Sequence, residues 1–335
     1  MSVPLLLLIL ILILLLIWWI ENRRRTGHPV TPGYRDDIII PNTDEYELYH
    51  NSVSLCSMKV RVCMAELGVP YKSHHIGMAE TGRPDTIRPA FRKINPARTV
   101  PVLVHNGHPI YESHEQIRYI GNRVTPGSER LVPDSEAARK EMDYWIDRSS
   151  ITTDPLNNMD KSAGNAAPGQ TLPLIVGVTG KVSFLTILEL LLFHPIKVFP
   201  IMSLIVKASG FNVFKGGAIK KGFLESRKYM HLHFDALEAQ LKKTGGPWIL
   251  GDAYSLADIS WMVIFDRLLQ CDSLAQFAGA DRRAQCAAYW ERLRVRPAYQ
   301  EGVVDYEHRV VAYGRERIKK IKEDNPQIRA ILNGD

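Results

Sequence analysis

Ser54 and Cys56 stand where a short strand over residues 46–49 gives way to an amphipathic helix. The first turn of a helix leaves backbone N–H groups unpaired and carries the positive end of the helix dipole, so an anion is favoured there. A thiolate is such an anion, and sulfur chemistry is the first expectation. Lys59 and Arg61, further along the same helix, read as solvated side chains, with Lys59 placed to add positive potential. Cys63, two turns beyond Cys56, reads as core. The chain has 4 cysteines in 335 residues, none in a Cys-x-x-Cys pair, which fits a reducing compartment. No zinc-ligand spacing, phosphate-binding loop or basic–aromatic array for nucleic acid is present, and His74, His75, His105 and His108 read as surface residues.

The elements that would position Ser54 and Cys56 follow from periodicity. The helix carries Met58, Val62 and residues 65–67 on its apolar side and ends at Gly68, as a C-terminal glycine predicts. Residues 71–76 read as a strand returning parallel to the first, and 85–93 as a short helix. Residues 100–104 and 109–111 bracket a turn at 105–108, an antiparallel hairpin. Glu112 and Ser113 then open a helix predicted to run to about 124. Beyond a connection at 126–133 the pattern is helical, with helices predicted over 136–151 and 223–242. Ser255 and Asp258 form a capping box before an apolar run at 259–269.

The pattern resembles the glutathione transferase superfamily: a thioredoxin-like α/β N-terminal domain followed by an all-α C-terminal domain. Ser54-Leu55-Cys56-Ser57-Met58-Lys59 resembles the zeta-class signature, and more closely that of the related tetrachlorohydroquinone reductive dehalogenases. Asn95-Pro96 with Thr99-Val100-Pro101 resembles the loop that ends in a cis-proline, Glu112-Ser113 the acidic-serine pair, and residues 251–258 the capping box of the C-terminal domain. The resemblance implies glutathione as cofactor. Ser54 would donate a hydrogen bond to its sulfur and favour the thiolate. Val100, before a cis Pro101, would pair with its cysteinyl backbone, Ser113 would hold the γ-glutamyl carboxylate, and Glu112 would accept the α-ammonium. Cys56 has two readings: a nucleophile that forms a mixed disulfide, its pKa lowered by the helix terminus, or a small residue filling the turn. Dimerisation is the habit of the family.

Residues 3–20 are uniformly apolar apart from Pro4. No charge precedes them and no small-residue cleavage site follows, so an uncleaved anchor is expected rather than a signal peptide. At about 1.5 Å per residue the stretch spans roughly 27 Å, slightly short of a ~30 Å hydrocarbon core. Trp18 and Trp19 would lie at the interface, and Arg23, Arg24 and Arg25 predict a single-pass protein with its soluble domains on the cytosolic side. The net charge of +6 adds attraction for anionic lipid. The domain organisation expected is an anchor at 1–22, a linker at 23–44, the thioredoxin-like domain at 45–126, a helical domain at 134–300 and a basic tail at 301–335. Within the helical domain, 160–222 reads as an apolar insertion, and three roles compete for it: membrane contact, a lid over the acceptor site, or an oligomer contact. Membrane contact ranks first. The function expected is a membrane-anchored glutathione-dependent transferase acting on a small apolar electrophile, by thiol displacement or reductive dehalogenation. The alternatives are a zeta-type cis–trans isomerase, which would want arginines near the sulfur, and a non-catalytic membrane binding module.

Overall fold

The computed structural model describes residues 3–123, 131–152, 154–194 and 196–334. A long helix, α1 (Val3–Arg25), comes first and buries none of its residues. By length and composition it could cross a membrane, a property it shares with a signal sequence.

The N-terminal half is a five-stranded sheet built from β1 (Gly33–Tyr34), β2 (Tyr46–His50), β3 (Lys72–His75), β4 (Val102–His105) and β5 (His108–Tyr111), in the order β1-β5-β4-β2-β3. β2 and β3 are parallel and joined through α2 (Leu55–Glu66), while β4 runs antiparallel to β2 and to β5. Period-2 alternation sorts the side chains: Leu48, Leu103 and Ile110 pack under α2 and α4 (Ser113–Gly121), whereas Val102, Val104 and Tyr111 pack with Phe91 on the other face. Asn106 and Gly107, with φ of 50° and 84°, make the primed turn that suits hairpin twist.

Four details differ from expectation. β4 begins at Val102, directly after a cis Val100–Pro101 peptide. The short helix at 85–93 is divided into a 3-10 turn (Asp85–Ile87) and α3 (Pro89–Ile94). Arg88 lies between them in extended conformation, ψ 148°, as the residue before a proline prefers. α4 ends at Gly121, and both Val124 and residues 126–130 of the expected connection lie outside the described residues. The segment read as a linker folds onto the sheet. Its β1 pairs with β5, His28 N donates to Pro96 O at 2.9 Å, and Ile40 is buried with its N–H on Gly107 O at 2.7 Å.

The helical half comprises α5 (Glu136–Asp147), α6 (Ala163–Thr179), α7 (Phe184–Phe193), α8 (Val198–Ser209), α9 (Gly217–Thr244), α10 (Leu256–Gln270), α11 (Leu274–Ala278), α12 (Ala284–Leu293), α13 (Pro297–Gly302), α14 (Arg309–Asp324) and α15 (Pro326–Asn333). α10 is central, with Trp261 and Phe265 fully buried. The capping box forms as expected: the N–H and hydroxyl of Ser255 donate to Asp258 Oδ2 at 2.8 and 2.9 Å. Ile249 N and Tyr289 OH donate to its other oxygen at 3.0 and 2.8 Å.

Residues 160–222 do not form one appendage. α6 is a core helix, despite Pro168 and Pro173 within it. Its small residues permit close approach: a Cβ on Gly169 would meet Ser226 of α9, and one on Gly177 would meet the Gly314 backbone of α14. α7 and α8 instead leave most of their large apolar side chains exposed. α8 and the 3-10 turn after it (Gly210–Lys215) form an apolar run of 18 residues, long enough to be considered a span. Phe211 and Phe214 of that turn are buried in a core shared with Phe223, Ile328 and Leu332, which fixes the run to the protein.

Candidate active site

Ser54 is the N-cap of α2, with φ −76° and ψ 119°, and its Oγ accepts the N–H of Ser57 at 3.2 Å. That leaves its hydroxyl hydrogen without an acceptor among the described residues. The turn leading to it is set by Asn51, whose side chain accepts from Val53 N at 2.8 Å and donates to Ile76 O at 2.7 Å. A loop-to-helix corner fixed in this way keeps one hydroxyl proton beside the N–H groups of the first turn.

Cys56 is half-buried in the first turn of α2, and a hydrogen bond from the Ser113 side chain reaches it from the start of α4. The structure thus brings together two residues from separate motifs. Burial nevertheless pushes the Cys56 thiol above its ordinary range, opposed by the Lys59 charge and by Ser113. This corrects the expectation that the helix terminus alone would lower it: desolvation of the anion outweighs the dipole here.

Lys59 and Arg61 are also corrected. Neither is solvated: they are 0% and 1% exposed. Lys59 Nζ donates to Ser150 Oγ at 3.0 Å, and burial pulls its pKa down to about 8, against which the Cys56 thiol acts. Arg61 donates to Gly302 O at 2.7 Å and to Asn51 O at 3.1 Å, and lies 4.5 Å over the Tyr306 ring. It buttresses the same turn from below.

Glu112, the N-cap of α4, has φ 67° and ψ 125°. A non-glycine residue there stores roughly 1–3 kcal/mol of backbone strain, a cost that requires the surrounding structure to hold it. Burial raises its carboxyl pKa, with Lys59 opposing. Ser113 is 5% exposed at the first position of α4. The N–H and C=O of Val100 enter no backbone hydrogen bond among the described residues, so a strand-like edge stands free. Gln116 ties this edge to α4, donating to Pro101 O at 3.0 Å and to Ile110 O at 2.8 Å.

Gln116, Glu80 and Arg267 are absent from the expected set. Arg267 of α10 donates to Val53 O, and its Nε is buried without a partner. Glu80, in a 3-10 turn (Ala79–Thr81), has a buried, unpartnered Oε2, and burial raises its pKa while Arg267 lowers it. In sequence Arg267 is marked only by standing with Asp266 as a charged pair within the mostly apolar run 259–269. Nothing local marks Gln116 or Glu80.

Two family profiles match the chain, "Glutathione S-transferase, N-terminal domain" over residues 53–123 and "Glutathione S-transferase, C-terminal domain" over 217–301. The chain carries both domains of the glutathione S-transferase superfamily. It is 27% identical over 269 residues to a tetrachloro-p-hydroquinone reductive dehalogenase of Sphingobium chlorophenolicum, an alignment covering 76% of this chain and 94% of that protein. It is 22% identical to the glutathione S-transferase TCHQD of Arabidopsis thaliana, over 78% of this chain and 90% of the relative. The beta-etherase LigF of Sphingobium sp. strain SYK-6 shares the fold, with a TM-score of 0.61 at 20% identity over 78% of this chain and 100% of that structure. Ser54 and Cys56 at the start of α2, Val100 before the cis-proline and Ser113 at the start of α4 come from three separate elements of the N-terminal half.

Proposed function

We propose that this protein is a membrane-anchored glutathione transferase that acts on an apolar electrophile by thiol displacement, reductive dehalogenation included. The observation that carries the reading is the unengaged hydroxyl hydrogen of Ser54 at the N-terminus of α2. The residues present fit glutathione: a free backbone edge at Val100, a buried Ser113 at a helix start, and the Glu112 carboxyl beside it. Glutathione, when bound, supplies the nucleophilic sulfur.

Ser54 would donate to that sulfur and hold it as an anion. A hydrogen bond to a charged group contributes about 1.5–3 kcal/mol, which at 1.36 kcal/mol per pKa unit is roughly one to two units of thiolate stabilisation. Val100 would orient the tripeptide, and Ser113 with the first-turn N–H groups of α4 would hold its carboxylate. Cys56 enters as a protonated thiol and would need the Lys59 charge, or a proton acceptor brought by the substrate, before it could attack a sulfur. The resemblance to the dehalogenase supports a role for Cys56 in completing turnover. α1 would hold these domains at a membrane, with the arginines at its end on the cytosolic side.

A zeta-type isomerase is the second reading. It is favoured by Arg267 and Lys59, two cations close to Cys56 that could receive an acidic substrate. The full chain in detergent, assayed for glutathione binding, aryl-halide conjugation and isomerisation of an unsaturated diacid, tests both. Ser54→Ala is expected to lower conjugation about 10- to 100-fold at neutral pH with glutathione still bound. Isomerisation abolished by Arg267→Met, with conjugation absent throughout, supports the second reading. Glutathione binding without turnover of either substrate class rejects both. Resistance of the membrane-bound chain to alkaline extraction tests the anchor.

A further inference from the structure

α7 and α8 form an antiparallel apolar pair that the sheet and the helical core leave uncovered. Phe184, Leu185 and Leu188 are 69%, 78% and 50% exposed, and Ile196 and Phe199 at the corner are 53% and 57% exposed. A face of this kind needs an occupant, and its placement against α1 identifies one.

The C-terminal end of α7 lies along α1. Trp18 Nε1 donates to Leu192 O at 3.3 Å, and Leu192 and Phe193 line an apolar groove with Ile11, Leu15 and Trp18. From Glu21 back to Ile11 is about 15 Å at 1.5 Å per residue, which is half of a ~30 Å hydrocarbon core. Whatever layer surrounds this part of α1 also surrounds the corner between α7 and α8. One step above, the charges are closed on each other: Arg25 pairs with Glu189 at 2.9 Å and with Glu21 at 2.8 Å, and Arg88 approaches Glu189 at 3.6 Å. Glu189, the acid that interrupts α7, is therefore at the upper rim and neutralised.

The corner also satisfies its own polar groups. Lys197 Nζ donates to Leu191 O and Leu192 O at 2.9 and 3.1 Å, and His194 Nδ1 contacts Ile196 O at 2.9 Å. Lys207 Nζ donates to Gly180 O and Val182 O at 3.1 and 2.8 Å. Both lysines of the pair are thus turned onto backbone carbonyls, as a low-dielectric surrounding requires.

We propose that the α7–α8 pair is a second membrane contact, lying in the plane of the bilayer with Leu192, Ile196 and Phe199 of its corner in the interfacial and shallow acyl layer beside the inner half of α1. It rests on the anchor reading of α1, and its occupant is lipid rather than a second copy of the chain. The pair ends close to the candidate site: Thr186 Oγ1 donates to Gly82 O at 3.4 Å, next to the turn that carries Glu80. An apolar electrophile dissolved in the bilayer would meet this edge first.

The test uses the full chain in phosphatidylcholine–phosphatidylglycerol vesicles, with Cys56→Ser to leave only buried native thiols. A nitrobenzoxadiazole label goes at Phe199→Cys or, separately, Leu185→Cys, with Glu291→Cys on α12 as the exposed reference. Lipids carrying a shallow nitroxide are expected to quench the labels at 199 and 185 at least threefold more than the label at 291, with blue-shifted emission. Labels at 199 and 185 as wet as that at 291, while Trp18 and Trp19 are quenched, overturn the proposal and leave the anchor standing. Absence of quenching at the tryptophans as well overturns both. Shielding that follows the protein-to-lipid ratio instead of lipid itself overturns the proposal in favour of self-association.

Discussion

Two of the serine N-caps in this protein, Ser54 of α2 and Ser255 of α10, differ in what the cap leaves over. At α10, Ser255 and Asp258 close on each other, and Ile249 and Tyr289 take up the remaining carboxylate oxygen. Every polar group is engaged, and the whole unit is buried. At α2, Ser54 accepts one N–H and retains its own proton, half-buried, with Cys56 and Ser113 beside it. The closed cap is a device of stability. The open one stabilises less and keeps a donor available, which is what an anion-binding corner needs.

The largest effect expected is on the closed cap. Asp258→Ala removes the acceptor from four buried hydrogen bonds and is expected to cost several kcal/mol in urea unfolding, at about 1–3 kcal/mol for each buried donor left unsatisfied. Ser54→Ala should cost only about 1 kcal/mol, the ordinary worth of an N-cap. Equal losses at the two caps would break the comparison.

Lys59, beneath the open cap, has a folded pKa of about 8, well below its ordinary value, because burial penalises the ammonium. Between about 8 and about 10.4 the unfolded chain binds the proton that the folded one has released, so stability rises with pH across that window and is lost as pH falls through 8. The full difference is about 3 kcal/mol at 1.36 kcal/mol per unit. Lys59→Met should remove this rise, read as the difference between the two proteins' urea midpoints at pH 7 and pH 10. A rise that persists in the variant assigns it to other groups.

Ser54→Ala should next separate activity from fold: conjugation down about 10- to 100-fold, or roughly 1.4–2.7 kcal/mol in barrier, with the fold retained by circular dichroism. The smallest effect is expected at Cys56. Its alkylation by iodoacetamide should have a pH midpoint above that of a free cysteine, because burial penalises the thiolate more than the helix terminus favours it. A midpoint below the free value would restore the helix-terminus expectation.

The legibility of the chain follows from the range of its interactions. The β2–α2–β3 unit, the β4–β5 hairpin and the capping box were readable because turn glycines, alternation and caps act within a few residues. The burial of Lys59 was not, since the covering Ser150 is 91 positions away, and Gly302 is 241 from Arg61. Local pattern shows a cation on a helix and says nothing of the roof above it. α6 falls inside the stretch read as an insertion, and Pro168, Pro173 and its glycines lower helix propensity there; tertiary packing against α9 and α14 overrides that preference. α7 and α8, from the same stretch, leave most of their large apolar side chains exposed. Hydropathy identified both stretches as apolar and could not say which of them protein would cover.

Arg61 ties the base of the corner around Ser54 to Gly302 and Tyr306, and a Cβ on Gly302 would press into the backbone of Val62. In vectorial synthesis the sheet can assemble once its strands have emerged. The guanidinium beneath the sulfur-binding turn must wait for Gly302, 241 residues later, and for Tyr306 to leave the ribosome. A nascent or prematurely terminated chain would therefore own the scaffold before it owned a finished pocket.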